Sequence, residues 1–330
     1  GDVYKRQQDG KPIKSGSFGV GRYATGELHD IGRLAIPLSQ VAAPAKLTLT
    51  LSTRESKARN CWDLFVYPAP GALPAEPPSL QVEPSLEKAL AALQAGHSVL
   101  WLPPANTIRN DPERPLRAGF SPVFWNTAWT RWQPPHTLGL LCDPQHPALA
   151  QFPTDPYSNW QWWELVTGCQ PFLLTAHPDL EPIVQPIDDW FTNRKLGLVF
   201  EARVGKGRLL ACSADRRSDL DTRPAPRQHR HSLEANIARH AIKPAYEMQP
   251  GDLEALVTQP PRILQLGARI EASSHDPGYE AGRAIDGKPR TLWHSRFSGS
   301  PAKPPHELVL SFPGPTPIEA LLLTQRQDGN

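Results

Sequence analysis

The chain has 330 residues, 39% hydrophobic and 21% charged, with 35 Lys and Arg against 33 acids and a net charge of +2. That length allows two or three domains with a sizeable core, and the balanced, scattered charge gives no compositional support for a nucleic-acid or membrane-surface partner. No apolar run approaches the roughly 20 residues of a bilayer-crossing helix, and the first residues lack the basic, apolar, small-residue order of a signal peptide.

DVYKRQ, Asp2 to Gln7, coincides with one translated frame of a common transposon sequencing adapter, so residues 1–7 are expected to be an artefact of a gene clipped at its 5′ end. The final QRQDGN carries no terminating signal, and the whole is expected to be the middle of a larger protein. Residues 8–70 have a β pattern. In AKLTLTLSTRE, Leu47, Leu49 and Leu51 alternate with Thr48, Thr50 and Ser52, the period of two of a half-buried strand. NCWDLFVYP follows as a second strand, with Trp62, Leu64 and Val66 on one face. The pair is expected to end a β-sandwich. The 38 prolines, well above the usual share of about 5%, gather in runs such as YPAPGALPAEPP, a stiff connector.

Residues 71–245 change period. Ser85 can cap a helix with Leu86, Leu90 and Leu93 on one stripe, and Gly96 stands where a C′ glycine belongs. SVLWLPP (98–104) follows as a short buried strand. Helix, glycine and apolar strand make half of a βαβ unit, which predicts an α/β domain with a largely parallel sheet. TLGLLC (137–142), KLGLVFEARV (195–204) and GRLLACSA (207–214) are further strands, the last two a hairpin through Gly205 and Gly207. RQHRHSLEANIARH (227–240) is a closing helix. Residues 246–265, with Pro250, Pro260 and Pro261, read as a linker, and residues 266–330 return to a β pattern in HELVLSF and IEALLLTQ.

FPTDPYSNWQWWEL (152–165) concentrates three of the 10 tryptophans. If extended, it places Trp160 and Trp162 on one face and Gln161 and Trp163 on the other, as in a strand buried on both sides. Core packing with locally satisfied indoles is the leading expectation. The other is a platform on which a sugar ring stacks while Asp155 takes its hydroxyls.

Cys61, Cys142, Cys169 and Cys212 lie far apart, with no CxxC and no metal-like spacing to His. They are expected to be small buried thiols, one disulfide being open to them in an oxidising compartment. Neither Cys142 in LLCDPQHP nor Cys212 in LACSAD sits on the glycine-flanked strand-to-helix elbow of a nucleophile. Gly205-Lys206-Gly207 joins two strands instead of opening a helix, so it is no phosphate loop. No catalytic residue is assigned.

In the last segment, AIDGKPRT offers a tight turn at Gly287, the Asp286 carboxylate, the Thr291 hydroxyl and carbonyls such as that of Lys288, an oxygen set that suits Ca²⁺. The pieces ASS (272–274), A-x-D-G-x-x-x-T-x-W-H (284–294), PHELVLSF and RQDGN (326–330) stand in the order of the discoidin, or factor 5/8 type C, fold of family 32 carbohydrate-binding modules, which this segment resembles. The resemblance implies the N-terminal half of a jelly-roll β-sandwich over residues 266–330. It also implies a structural calcium at Asp286, Lys288 and Thr291, and a galactose-type sugar bound by His294 and Arg326.

GFSPVFWNTAW (119–129), residues 136–165, QPIDDW (185–190) and NRKLGLVFEARVGKGRLLACSAD (193–215) resemble a region of large secreted bacterial family 2 glycoside hydrolases, the β-galactosidase-like proteins. There the region follows the sugar-cleaving barrel and its sandwiches, and NCWDLFVYP is similar to the sandwich just before it. This implies a multi-domain chain: a partial β-sandwich, a flavodoxin-like α/β domain of the class I glutamine-amidotransferase type without its cysteine elbow, and the partial discoidin sandwich. The expected function is the non-catalytic, carbohydrate-binding part of a secreted or periplasmic hydrolase of β-galactoside-type glycans, its catalytic barrel lying upstream in the same chain. Two rivals are an adhesion protein with no catalytic parent and a cysteine-dependent hydrolase using Cys142.

Overall fold

The change of hydrophobic period along the chain produces a mixed α/β architecture with several sheets and short helices, in two units, residues 1–258 and 259–330. The structure is a computed structural model. It describes residues 3–8, 11–19, 21–22, 24, 26–53, 58–73, 80–120, 136–214, 219–239, 242–258, 262–287, 291–318 and 320.

The first sheet is antiparallel, in the order β2-β1-β3-β4, from β1 (Val3–Gln8), β2 (Lys11–Ser17), β3 (Ala45–Ser52) and β4 (Arg59–Val66). Val3 to Gln7 of the adapter-like stretch lie in β1, between β2 and β3. Register pairs Leu47 with Leu64 and Leu49 with Trp62, so these side chains share one face. Leu47 and Val66 are buried with Val41 and Ala45, while Trp62 and Leu64 remain exposed. The opposite face carries Lys46, Asp63 and Phe65.

The second sheet begins with β5 (Gln81–Glu83), α1 (Leu86–Gln94) and β6 (Ser98–Trp101). Ser85 is the N-cap of α1 by position, but its side chain makes no capping hydrogen bond. The helix ends as expected at Gly96 (φ +90), where Gly96 N donates to Leu93 O and His97 N to Ala92 O, the paired bonds of a Schellman motif. Next come β7 (Gly139–Cys142), α2 (Trp163–Val166), β8 (Phe172–Leu173), β9 (Val184–Ile187), β10 (Leu196–Gly197), β11 (Val199–Val204), β12 (Gly207–Cys212), α3 (Pro224–Ala238), β13 (Glu247–Met248) and α4 (Pro250–Ala255). The sheet order is β5-β6-β12-β11-β9-β7, with β13 beside β11 and a separate β8–β10 ladder.

The sheet is mixed, not largely parallel. β5, β6 and β12 run parallel, whereas the β11–β12 hairpin and the β9 and β7 pairings are antiparallel. The physical reason is the two-residue connection Gly205-Lys206, which can only join antiparallel neighbours. Both sheet faces are covered. Leu100, Leu210, Cys212 and Val199 belong to one core, and Val99, Trp101, Leu209, Ala211 and Phe200 to the other. Strands buried on both sides read as continuous apolar runs, as LVF and LLAC do. Gly207 lies against the end of α1: a Cβ there would stand 2.6 Å from Leu93 Cα, so only glycine permits this approach.

Part of the expected 246–265 linker is instead folded. Met248, Leu253, Leu256 and Val257 are buried in the second core. The Gln249 and Asp252 side chains form a capping box at the start of α4, with Pro250 in its first turn.

In the other unit, α5 (Arg262–Gln265) precedes β14 (Arg269–Ala272), which pairs antiparallel with β15 (Leu308–Ser311), Arg269 opposite Ser311 and Ala272 opposite Leu308. The expected IEALLLTQ strand lies almost wholly outside the described residues. No helix among the described residues is long and apolar enough to cross a membrane.

Candidate functional site

The loops between β14 and β15 carry His294, Asp286 and Thr291 of the expected residues, and Asp276 ties these loops together. Its Oδ2 accepts from the backbone N–H of Phe297 (2.8 Å) and Ser298 (2.6 Å), and its Oδ1 accepts from Ser298 Oγ (2.6 Å). The Ser298 hydroxyl, with these backbone donors, holds the Asp276 carboxyl below the usual carboxylate range. Asp276 N donates to His294 O at 3.1 Å, joining the two halves of the loop system. His294 Nδ1 lies 2.6 Å from Ser295 O. A carbonyl can only accept, so Nδ1 carries the proton. The imidazole packs edgewise against Phe297 (4.8 Å) and Tyr279 (6.3 Å), with Phe297 50% exposed. Trp293 is half-buried and fixed by Nε1 to Ser274 O at 3.0 Å. Arg326 lies outside the described residues. Asp276, Tyr279 and Phe297 escaped the sequence reading, although Asp-Pro-Gly in SSHDPGY is a turn signal.

Asp286 and Thr291 are brought together: Thr291 Oγ1 donates to Asp286 Oδ1 (2.8 Å) and Oδ2 (2.9 Å). Lys288 lies outside the described residues. Among the described residues no group of three or more His, Cys, Asp or Glu side chains could hold a metal. One carboxylate and one hydroxyl fit calcium in kind, both being hard oxygens, and backbone carbonyls would have to complete the shell.

In the unit of residues 1–258, the tryptophan stretch is not extended. Trp160–Trp162 is a 3-10 turn leading straight into α2. Helical spacing places Trp160 and Trp163 on one side and turns Trp162 inward. Trp162 is fully buried, donates from Nε1 to Thr154 Oγ1 (2.9 Å), and meets Phe152 and His229 edgewise. Trp160 and Trp163 are 59% and 57% exposed, so the core reading holds for Trp162 and fails for Trp160. Nor does Asp155 wait for hydroxyls. Its Oδ1 takes Lys46 Nζ at 2.5 Å and its Oδ2 takes Asn159 Nδ2 at 3.0 Å, while Lys46 also reaches Asp63 at 3.1 Å. Burial opposes the Lys46 charge, but its hydrogen bonds to Asp155 and Asp63 raise its pKa. Beside this ion triad lies a cleft of about 450 Å³ between β4 and the Trp160–Glu164 turn, walled by Phe65, Tyr67, Trp160 and Trp163.

A larger crevice, about 740 Å³, opens at the carboxyl ends of β5, β6 and β12, among Pro84, Leu102, Pro103, Ser213 and Arg230. Loops at that edge are where α/β sheets place ligands. Among the described residues, the buried Ser213 Oγ finds no hydrogen-bond partner there. LPP follows β6 and Ser213-Ala214 follows β12. Cys142 stands at the end of β7, in one row with Val184, Val199 and Cys212, three strand spacings or about 14 Å from Cys212. Burial, aided by the Asp155 charge, pushes its thiol up to about 12, the opposite of what a nucleophile needs.

Not every cysteine is buried. Cys61 is exposed, and contacts with Thr50 Oγ1 and Arg59 Nε (3.3 Å each) hold its thiol below its ordinary value. At near-neutral pH, iodoacetamide is therefore expected to modify Cys61 long before Cys142, as read by peptide mass mapping. Alkylation of Cys142 first would contradict this ordering.

No curated protein matches the chain. A family model described as Domain of unknown function (DUF8488) matches residues 4–68, the first sheet. A second, described as Domain of unknown function (DUF8487), matches residues 81–258, the α/β sheet with its helices and more than half of the chain. The chain belongs to the family described as Domain of unknown function (DUF8487).

Proposed function

We propose that this chain is a non-catalytic, carbohydrate-binding part of a secreted or periplasmic family 2 glycoside hydrolase of the β-galactosidase-like type, with the catalytic barrel upstream. In this reading residues 81–258 are an amidotransferase-like, flavodoxin-type α/β domain that has lost its nucleophile, and residues 266–330 are the first half of a discoidin-type module. The observation that carries it is the His294 cluster. An imidazole fixed through Nδ1, beside the half-exposed Phe297 ring at 4.8 Å, combines a polar ring nitrogen with an apolar ring face, the pair of contacts a pyranose uses. Arg326 would add a fork of donors, and Ca²⁺ held by Asp286, Thr291 and the Lys288 carbonyl would order the loop without taking part in chemistry.

Calorimetric titration of the full chain with galactose tests the proposal. A few exchanged hydrogen bonds at about 0.5–1.5 kcal/mol each and one stacked ring imply a dissociation constant of roughly 0.1–1 mM. His294→Ala is expected to weaken the heat signal about tenfold with an unchanged melting curve. Asp286→Ala is expected to lower the melting temperature and remove its response to chelator. Aryl β-galactosides are expected to be left intact. Turnover abolished by one Asp or Glu substitution, or galactose binding indifferent to His294→Ala, would overturn the reading.

A further inference from the structure

We propose that the cleft between β4 and the Trp160–Glu164 turn is a second carbohydrate site, which takes a neutral pyranose ring. It stands on its own observations and does not require the His294 site to bind anything.

Both exposed indoles are held rigidly. Trp160 Nε1 donates to Asp63 O at 2.9 Å, and Phe65 meets its ring edgewise at 5.5 Å. Trp163 stacks on Phe120 at 6.0 Å. Yet each leaves more than half of its surface to solvent. Since the polar atom of Trp160 is engaged inside the protein, its exposed part is carbon ring alone, already oriented at no further cost in side-chain freedom. Two other polar groups of that wall are engaged within the protein: Tyr67 donates to Gln161 Oε1, and Gln161 Nε2 donates to Pro153 O at 2.9 Å. The rim adds an acceptor, the Glu164 carboxylate, about half exposed.

Three kinds of occupant stack on indole faces: a sugar, a proline-rich peptide and an organic cation. A proline-rich strand presents a run of carbonyl acceptors and needs several donors along its length, whereas the N–H of Trp160 and the O–H of Tyr67 are already engaged. A cation over aromatic rings needs uncompensated negative charge or bare π faces. Here the Arg223 guanidinium lies 3.9 Å from Glu164 and 3.7 Å from Asp219 and donates to the Glu164 backbone oxygen at 2.8 Å, so the carboxylate at the rim already has a cationic partner. A pyranose matches what is left. Its C–H face lies on carbon rings, and its hydroxyls donate to the carboxylate. The cleft volume of about 450 Å³ is within the range of small-molecule sites.

The full-length chain carrying His294→Ala, which removes the other proposed site, is titrated with galactose and glucose, and in parallel with betaine and a proline-rich peptide, following tryptophan fluorescence. A saturable response to at least one sugar at millimolar concentration is expected, weakened about tenfold or more by Trp163→Ala. Glu164→Gln, an exposed and conservative change, is expected to weaken it several-fold without moving the melting temperature, which keeps the test valid should Trp163→Ala destabilise the fold. No sugar response in the His294→Ala chain, a response indifferent to both variants, or a response only to betaine or the peptide would overturn the proposal. The His294 reading fails separately, if galactose binding in the parent chain is unaltered by His294→Ala.

Discussion

Trp162→Ala is expected to lower the unfolding free energy by about 3–5 kcal/mol, the range for deleting a large buried aromatic. The side chain is fully buried among Phe152 (5.2 Å), His229 (5.5 Å) and Leu165, and its Nε1 bonds Thr154. Its loss leaves a cavity beside α3 and a hydroxyl without its donor, and neighbours tied into three elements cannot collapse to fill it. Thermal unfolding should show a fall in melting temperature on the order of 10 °C. Trp160→Ala, two residues earlier, removes a mostly exposed ring, one hydrogen bond and one edge contact, for about 1–2 kcal/mol. Equal losses in the two variants would mean that the inward and outward faces of this turn are wrongly placed.

Comparable in size is the expected effect of Arg194→Ala. Asp188, with a side chain 1% exposed, receives Arg194 Nε (2.8 Å), Nη2 (3.1 Å) and backbone N (2.7 Å), and Arg194 Nη1 continues to Asp111 (3.2 Å) and Arg114 O (2.6 Å). Removing the guanidinium leaves a buried carboxylate without its countercharge, a loss of about 3–5 kcal/mol. Asp188→Asn, which keeps one acceptor, should cost less. The pH dependence has a definite sign. Burial alone would raise the Asp188 carboxyl, but Arg194 and the N–H groups of Asp189 and Arg194 hold it below the usual carboxylate range. A carboxyl lowered by folding contributes stability that is complete above its unfolded pKa, about 3.9, and is lost as pH falls through the lower folded value. Melting temperatures measured downward from pH 5 should therefore fall more steeply in the parent than in Asp188→Asn. Parallel curves would remove Asp188 from the acid-sensitive groups.

Elements with a short-range cause were legible in the sequence. The Leu/Thr alternation of β3, the Leu stripe and Gly96 of α1, and the Gly205-Lys206 turn each carry their geometry in a few residues, and the 139–142, 199–212 and 224–238 elements followed. What failed depended on partners distant in the chain. NWQWWEL alternates as convincingly for a strand as for a turn, and the choice is made in part by His229 and Asp63, which no local window contains. Asp155, read as free for hydroxyls, is captured by Lys46 from 109 residues away. The 246–265 stretch is different: QPGD carried a legible cap, overlooked because prolines on either side drew the reading towards a linker. Of the candidate site, His294, Asp286 and Thr291 could be placed through motif resemblance. Asp276, which ties the loop together, could not, because its bonds to Phe297 and Ser298 span more than 20 residues.

The contacts that join the first sheet to the second bear on how this protein can be divided. The two family models meet between residues 68 and 81, which invites a cut there. Across that seam run the Lys46 bridge to Asp155, the Trp160 bond to Asp63, the Tyr67 bond to Gln161, the stacking of Tyr67 on Phe152 and the reach of Arg227 to Pro68 O. Residues 81–258 taken alone would keep Asp155 without its lysine and bare one side of Phe152. Modules recognised as separate in sequence here share one interface inside a single compact unit, and a cut at that seam would expose charged and aromatic partners on both sides.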